Sequence, residues 1–201
     1  MRELRARIKA NLATFERIAI DSGTHRRAAV AILLSPQDGK PTFILTRRAL
    51  TMRRGAGNYA LPGGNCDAGE HIIDTALREV REELGIEITR DAALGMLDDF
   101  VTLGGHVVTP VILLTDTQLT LTPDPTEVHA AWFRPLSELD HPQAPRNVPN
   151  PDGGDPILRM FANGDWINPP TAAWLYQFRE VALHGRPARL HRVGQPAWTA
   201  H

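Results

Sequence analysis

The sequence predicts an α/β protein built as a single domain. Short apolar runs typical of strands alternate with segments whose apolar residues recur at helical spacing. The 201 residues are 42% hydrophobic and 22% charged, which is enough for one sizeable α/β core with appended helices. We expect one domain over residues 1–201, with a core at about 26–140, a helical N-terminal extension at 1–22, and a proline-rich loop and C-terminal helix at 141–201.

The bulk charge and cysteine content limit the possible partners and compartments. The formal net charge is −1, so there is no basic field that would favour nucleic acid or an anionic membrane surface. Cys66 is the single cysteine and cannot form an internal disulfide, and no apolar run reaches the length of a membrane span. We therefore expect a cytoplasmic protein that binds neither nucleic acid nor membrane, with Cys66 an incidental thiol rather than a nucleophile.

The N-terminal third predicts a helix followed by a β-hairpin. Apolar residues from Leu4 to Ala19 recur at helical spacing, and Asp21-Ser22-Gly23 supplies a stop signal. This helix packs either on the domain or on a partner subunit, so a homodimer is possible. The apolar runs 28–34 and 42–46 flank a Pro- and Asp-Gly-containing loop and should form adjacent antiparallel strands.

The central stretch 64–86 predicts a loop, a helix over about 70–84 and a second loop. Asp67-Ala68-Gly69 is typical of a turn, and Gly85 stands where a helix ends in a left-handed cap. At 100° per residue, the apolar residues of this helix share one face, and Glu79, Glu82 and Glu83 cluster on the other.

The three glutamates need a cation to hold them together. Like charges three and four positions apart repel one another, and a hard divalent metal ion fits carboxylate oxygens well. The alternative is a solvated helix face on which Arg78 and Arg81 pair with the carboxylates. Because Mg²⁺ commonly combines one or two carboxylates with substrate phosphates, the metal interpretation implies a phosphate-bearing substrate.

The same stretch resembles the signature of the Nudix hydrolases, G-x5-E-x7-R-E-U-x-E-E-x-G-U, in which U is aliphatic. Every specified position matches; they are Gly64, Glu70, Arg78, Glu79, Val80, Glu82, Glu83, Gly85 and Ile86. The resemblance implies a Nudix-type α/β/α sandwich with a mixed sheet. It also implies metal-dependent hydrolysis of a diphosphate linked to another moiety, with Mg²⁺ or Mn²⁺ as cofactor.

A basic, glycine-rich segment leads into this signature. Arginines can bind phosphate bidentately, and glycines let backbone N–H groups approach an anion closely. Residues 44–64 resemble the additional motif of the coenzyme A pyrophosphatase branch of the family, L-L-T-x-R-[SA]-x3-R-x3-G-x3-F-P-G-G. Ile44 and Leu61 depart from that motif, and the later W-G-x-T-A stretch of the branch is matched only by Thr171-Ala172.

The second half predicts further strands and a C-terminal helix. Residues 94–100 and 106–115 should be two strands around Gly104-Gly105, with Pro110 placing the second at an edge or a bulge. A strand near 127–133 should precede a short helical turn at 135–139. Residues 141–156 should form a long irregular loop, and 172–184 an amphipathic helix capped by Thr171, with a loosely ordered tail from Gly185.

The resemblance also suggests a role for each site residue. Glu79 and Glu83 would be the primary metal ligands and Glu82 a further one. Glu70 and Arg78 would orient the loop and the helix, and either a signature glutamate or Glu127 would accept the proton. Arg48 and Arg53 would bind substrate phosphates, beside Gly63 and Gly64.

The resemblance leaves the substrate open. Coenzyme A or a derivative, cleaved to 3′,5′-ADP and 4′-phosphopantetheine, is the first expectation. ADP-ribose or another nucleoside diphosphate derivative is the alternative. A nucleotide-sensing module without catalysis is an alternative of another class.

Overall fold

The computed structural model describes residues 1–200, with side chains to Thr199, and its elements alternate as the sequence predicts. The helices are α1 (Arg2–Ala13), α2 (Ile72–Leu84) and α3 (Thr171–Gln177), and α3 continues as a π-helical turn over Phe178–Leu183. The strands are β1 (Arg26–Gln37), β2 (Lys40–Arg48), β3 (Tyr59–Ala60), β4 (Gly63–Asn65), β5 (Ala93–Met96), β6 (Phe100–Val101), β7 (His106–Leu114), β8 (Val128–Pro135), β9 (Arg146–Val148), β10 (Ile157–Ala162) and β11 (Asp165–Ile167).

The main sheet is mixed, and β1 lies at its centre. The predicted hairpin forms, with Leu34 of β1 opposite Phe43 of β2. On its other side β1 pairs in parallel with β7 along nine residues, from Arg26 opposite His106 to Leu34 opposite Leu114. The short β4 also pairs with β1, antiparallel, and β8 pairs with β2. These pairings bring the Gly63-Gly64 strand against the middle of the sheet.

Successive residues of β1 pack against helices on opposite faces of the sheet. Ala29, Ala31 and Leu33 lie in a buried cluster with the apolar face of α2. Val30, Ile32 and Leu34 lie in a second buried cluster that includes residues of α1 and α3. Because successive strand residues point to opposite faces, this pattern requires helices on both sides of the sheet. The predicted α/β/α sandwich is confirmed.

The N-terminal helix is shorter than predicted. It ends at Ala13, and residues 15–20 follow without helical structure. Buried carboxylates fix this segment: Asp98 accepts from the Ile18 backbone N–H at 2.7 Å, and Asp99 accepts from that of Ile20 at 2.8 Å. The carboxylates thus accept the backbone hydrogen bonds that a longer helix would have satisfied within itself.

Asp98 and Asp99 also bind side chains from both ends of the chain. The carboxylate of Asp99 pairs with Arg17 and, at 3.2 Å, with Arg27. The carboxylate of Asp98 accepts two hydrogen bonds from Arg189 Nη1, at 2.9 and 3.0 Å, and one from Gln177. Buried carboxylates are stable only when they are paired in this way. The described part of the tail beyond Gly185 is therefore bonded to the domain, contrary to the loose order predicted.

Pro110 lies in the interior of the sheet rather than at an edge. β7 pairs with β1 on one side and with β5 and β6 on the other. The pairing of β7 with β5 and β6 is interrupted opposite Pro110, between Met96 and Phe100. There the Leu97 backbone N–H donates a hydrogen bond to the Pro110 carbonyl. A missing N–H is tolerated at such an irregularity.

The proline-rich segment contains a strand that the sequence did not reveal. β9 pairs with β10, and β10 with β11, in a small antiparallel sheet. The ring of His141 stacks on that of Phe161 with centroids 4.2 Å apart, and Arg146 lies over the Trp166 ring. Thr171 is the first residue of α3 rather than its cap, and its hydroxyl donates to the Tyr59 carbonyl at 3.0 Å.

Between residues 1 and 200, no helix combines the length and apolar character that crossing a membrane would require.

Candidate active site

Helix α2 places two of the three predicted acidic ligands in a buried position. It begins at Ile72 and ends at Leu84, and the following Gly85 has a φ of 66°, the left-handed conformation predicted for the cap. Glu79 and Glu83 are one turn apart and are 8% and 5% exposed, whereas Glu82 is exposed. The helix thus presents Glu79 and Glu83 together on the side that borders the sheet.

The two glycines of β4 are required by close packing. A Cβ on Gly64 would lie 2.3 Å from Glu79 Oε1, and one on Gly63 would lie 2.3 Å from the Ala29 carbonyl oxygen. A larger residue at position 64 would force the Glu79 carboxylate to move, and one at position 63 would clash with backbone that cannot move locally. The Gly63-Gly64 backbone therefore lies directly against both the central strand and the Glu79 carboxylate.

Burial makes both carboxyl groups difficult to ionise in the protein without bound cations. It raises the pKa of Glu83 to about 8, and the nearby charge of Glu79 adds to this, while the Gly63 backbone N–H and Arg48 oppose it. Burial also raises the pKa of Glu79, against the lowering influence of Arg78. Glu127 contributes a further like charge to both groups.

Arg78 joins the loop before α2 to the acidic face of the helix. Its Nε and Nη2 donate to the two oxygens of Glu70 at 2.9 and 3.0 Å, and Nη2 also donates to the Asn65 carbonyl at 2.8 Å. Its Nη1 donates to Glu79 at 2.8 Å and to Glu82 at 2.9 Å. These charge-assisted bonds hold the pKa of Glu70 at about 2, chiefly through the pairing with Arg78.

Glu70 closes the turn before the helix. Its carboxylate accepts from the Asp67 backbone N–H at 3.0 Å and from the Thr75 hydroxyl at 2.8 Å. The bidentate pair with Arg78 therefore fixes a loop that is itself closed by the same carboxylate. Glu70 and Arg78 thus bond to each other and to both the loop and the helix.

The predicted trio of metal ligands is not assembled as one cluster. Among the residues with described side chains, no group of three or more His, Cys, Asp or Glu has the geometry to hold a metal ion. Glu82 bonds to Arg78 at the surface, because an exposed carboxylate gains a charged partner there without desolvation. Glu79 and Glu83 remain a buried pair of hard oxygen donors. This pair fits Mg²⁺ or Mn²⁺, since such ions use one or two carboxylates together with substrate phosphates.

A cavity of about 530 Å³ borders the Gly63-Gly64 backbone on which Glu79 packs, and neither Glu79 nor Glu83 lines it directly. Its wall includes Gly63 and Gly64, which contact the central strand and Glu79, and the basic residues Arg47, Arg48 and Arg54. Arg48 therefore lies where the sequence predicts a phosphate-binding arginine. Arg53 does not line the cavity, and its neighbour Arg54 takes that position instead.

Glu127 lies at the edge of the same region. The loop before β8 packs on the end of α2, where the Asp124 backbone N–H donates to the Glu83 carbonyl at 2.9 Å. The Glu127 carbonyl accepts from the Ala49 N–H at 2.8 Å, which fixes Glu127 beside the end of β2. Its side chain is exposed, and its charge reaches both Glu79 and Glu83.

Several cavity residues were not anticipated from the sequence. Arg54 belongs to the basic, glycine-rich segment in which the sequence predicts phosphate binding, although Arg48 and Arg53 are the arginines that the motif specifies. Asn168 and Trp174 come from the C-terminal region, and the cavity also receives Trp198 from the tail. Nothing in the local sequence indicates that these distant segments return to the site.

Comparisons with known proteins agree with this architecture. The sequence pattern of the NUDIX domain matches residues 24–151. Curated relatives include two proteins described as uncharacterized Nudix hydrolase NudL. The one from Photorhabdus laumondii is 40% identical over 119 residues, which cover 59% of this chain and 62% of the relative. The one from Yersinia pestis is 38% identical over 118 residues, covering 58% and 59%. Each match thus spans about three-fifths of the relative's length.

A solved structure shows the same fold. The Nudix hydrolase RenU from M. smegmatis superposes with a TM-score of 0.53 at 21% identity, covering 82% of this chain and 90% of that one. At this identity the likeness concerns the fold alone. Since the NUDIX domain covers well over half of the sequence and the fold agrees with it, the chain belongs to the Nudix family.

Proposed function

We propose that this protein hydrolyses a diphosphate that links a nucleotide to another moiety. The observation that carries the proposal is the buried pair Glu79 and Glu83, with Glu79 packed on Gly64 beside a cavity whose wall holds three arginines. Acidic ligands next to guanidinium groups suit a polyanion held together with a divalent cation. Membership of the Nudix family supports the same chemistry.

Glu79 and Glu83 would hold Mg²⁺ or Mn²⁺ through their carboxylate oxygens, with Glu82 a further ligand if it leaves Arg78. When bound, the cation supplies charge neutralisation and Lewis-acid polarisation of the diphosphate. The protein's own contribution is positional. Arg78 and Glu70 fix the loop and helix that carry the ligands, and the Gly63-Gly64 backbone keeps the carboxylates close to the cavity.

The anionic substrate would be bound by arginines, and a carboxylate would accept the proton of the attacking water. Arg48 lines the cavity and its charge acts on Glu83, so it can contact a phosphate next to the acidic pair. Glu127 is exposed and near both buried glutamates, which suits a proton acceptor. A signature glutamate remains the alternative.

Coenzyme A or an acyl derivative is the substrate we favour, because residues 44–64 resemble the motif of that branch. Cleavage would release 3′,5′-ADP and 4′-phosphopantetheine or its acyl form. ADP-ribose or a similar nucleoside diphosphate derivative is the second candidate. Leu61 supports it, because this leucine lines the cavity where the coenzyme A branch has a phenylalanine.

A substrate panel with product identification tests the proposal. Wild-type protein is incubated with coenzyme A, ADP-ribose and dinucleoside polyphosphates in Mg²⁺ or Mn²⁺, and the products are resolved by mass. Glu83→Gln should fold normally and lose metal-dependent turnover by orders of magnitude. Turnover of ADP-ribose alone would select the second candidate. Binding of these compounds without any hydrolysis would instead identify a nucleotide-sensing module.

A further inference from the structure

Residues 194–199, which we call the tail segment, form one side of the cavity. The side chains of this segment that line the cavity are Gln195, Trp198 and Thr199. Trp198 is 47% exposed, so it borders the cavity without being buried in the core. The tail segment lies outside residues 24–151, so a part of the chain that the family pattern does not include completes the cavity.

Hydrogen bonds to two different loops hold the tail segment in place. The Gln195 amide donates to the Val101 carbonyl at 2.9 Å and accepts from the Leu103 backbone N–H at 3.1 Å. These two partners fix the orientation of the amide, because exchanging its oxygen and nitrogen would place donor against donor and acceptor against acceptor. On the other side, the Ala197 N–H donates to the Asp152 carboxylate at 2.7 Å. The tail segment thus bridges the turn between β6 and β7 and the proline-rich loop.

The start of the tail segment is in close contact with the proline-rich loop. The Gly194 N–H donates to the Pro156 carbonyl at 2.9 Å, and a Cβ on Gly194 would lie 1.9 Å from the Asp155 carbonyl oxygen. A larger residue at this position would push the two backbones apart. Gly194 therefore determines how closely the tail segment approaches the loop.

The tail segment is held less firmly than the chain immediately before it. Arg189 pairs with the buried Asp98, and Leu190 is only 5% exposed. By contrast, the hydrogen bonds of the Gln195 side chain and the Ala197 N–H all lie at the surface. Such bonds add little stability because water can replace them, and segments that depend on them open locally. The tail segment can therefore move on a firmly anchored base.

The tail segment and the acidic pair lie at opposite sides of the cavity. One row of paired residues across β4, β1, β7 and β6 consists of Asn65, Ala28, Val108 and Phe100. Neighbouring strands are about 4.8 Å apart, so this row spans on the order of 14 Å. Gly64, on which Glu79 packs, adjoins the first residue of the row. Val101, to which Gln195 donates, adjoins the last. A diphosphate bound beside Glu79 would therefore leave the tail segment to the other end of the substrate.

We propose that the tail segment closes over the moiety of the substrate that is remote from the diphosphate and selects substrates by that moiety. The inference rests on the proposed function for the position of the diphosphate, but it does not require catalysis. Trp198 offers this moiety an aromatic surface at the cavity, and its exposure in the free protein leaves that surface open to a ligand. Selection of the substrate then depends on residues outside the region that matches the family.

Calorimetric titration in EDTA with coenzyme A, ADP-ribose and inorganic pyrophosphate tests the proposal. Deletion of residues 194–201 should weaken binding of the long ligand, meaning whichever of coenzyme A and ADP-ribose the intact chain binds more tightly, at least about tenfold. Pyrophosphate is too short to reach the tail segment, so its affinity should change by less than about twofold. Gln195→Ala should weaken binding of the long ligand at least about threefold. The matched control is Gln118→Ala, which removes an exposed glutamine bonded to the Asp38 N–H away from the cavity and should have no effect.

Amide hydrogen exchange measures the opening of the tail segment directly. In the ligand-free protein, the Gly194 and Ala197 N–H groups should exchange at least about a hundredfold faster than those of the buried strand β7. The bound long ligand should slow exchange at Gly194 and Ala197 at least about tenfold, because it holds the segment closed. Exchange at these two residues that the bound ligand leaves unchanged would overturn the proposal.

The titrations can overturn the proposal in three further ways. They are unchanged affinity for the long ligand in both variants, an equal loss of affinity for pyrophosphate, and binding of neither coenzyme A nor ADP-ribose by the intact chain. Circular dichroism and thermal unfolding establish folding, and Gln195→Ala decides the outcome if the deletion variant is unfolded. Hydrolysis with an unchanged KM in the variants would refute the role of the tail segment only. Binding that depends on the tail segment, without any hydrolysis, would refute the enzyme proposal only.

Discussion

Replacing Glu83 by glutamine should remove a pH-dependent loss of stability in the metal-free protein. The folded protein raises the pKa of Glu83 from 4.5 to about 8, so the folded state retains a proton that the unfolded chain has already released. Stability therefore falls as pH rises between these two values. At about 1.4 kcal/mol per pKa unit, Glu83 should cost the folded protein roughly 3 kcal/mol of unfolding free energy between pH 5 and pH 8. Glutamine resembles the protonated carboxyl group and has no such dependence.

Denaturant unfolding in EDTA at several pH values between 5 and 8 measures this difference. The unfolding free energy of wild-type protein should decline across the range, and the curve of Glu83→Gln should be flatter by roughly 3 kcal/mol. Mn²⁺ should restore the stability of wild-type protein at pH 8 and have little effect on the variant, because a cation bound only to the folded state stabilises it. Glu87→Gln, at an exposed residue just beyond α2, is the control and should follow the wild-type curve.

A wild-type protein whose stability is constant or increases from pH 5 to pH 8 would refute the reasoning. An equally steep decline in Glu83→Gln would also contradict it, because the pH dependence would then come from other groups. If Mn²⁺ stabilised the variant as strongly as wild-type protein, Glu83 would not be a ligand of the ion.

Four further substitutions test the site. Gly64→Ala should lower kcat at least about tenfold with a small change in Tm, because the added methyl group would lie 2.3 Å from Glu79 Oε1 and push that carboxylate aside. Unchanged kcat would contradict this packing. Arg48→Ala should raise KM for the diphosphate by about tenfold and Arg53→Ala should not, since only the first lines the cavity; equal effects in steady-state kinetics would remove that distinction. Arg78→Lys should lower both Tm and kcat, because lysine cannot reproduce the bidentate pair; wild-type values of both would exclude the orienting role.

The sequence predicted those parts of the fold whose pattern is local. The apolar run in β1, the amphipathic face of α2 and the glycine cap at Gly85 each depend on a few neighbouring residues, and each is confirmed. Glu79 and Gly64, which pack against each other, belong to one contiguous signature. The sequence alone therefore locates the acidic helix and the glycine loop beside it.

Features that depend on distant partners were not predictable. Arg48 and Arg53 look alike in the sequence, and the course of the loop after β2 determines that only one of them reaches the cavity. For Pro110 the sequence predicts an edge or a bulge without choosing between them, and the pairing opposite it, which stops at Met96 and resumes at Phe100, makes it an irregularity inside the sheet. The position of Trp174 in the cavity wall likewise requires α3 to pack beside β3, a contact across more than a hundred residues.

The buried aspartates at 98 and 99 determine how much of the chain must be kept together. Of their cationic and amide partners, Arg17, Gln177 and Arg189 lie outside residues 24–151, the region that matches the family, and only Arg27 lies within it. In a fragment limited to that region, Asp98 and Asp99 would lose these counter-charges and hydrogen bonds. Removing one partner of a buried ion pair typically costs several kcal/mol of folding free energy. We therefore expect residues 24–151 alone to be less stable than the full chain, and expression of the domain should retain both flanking extensions.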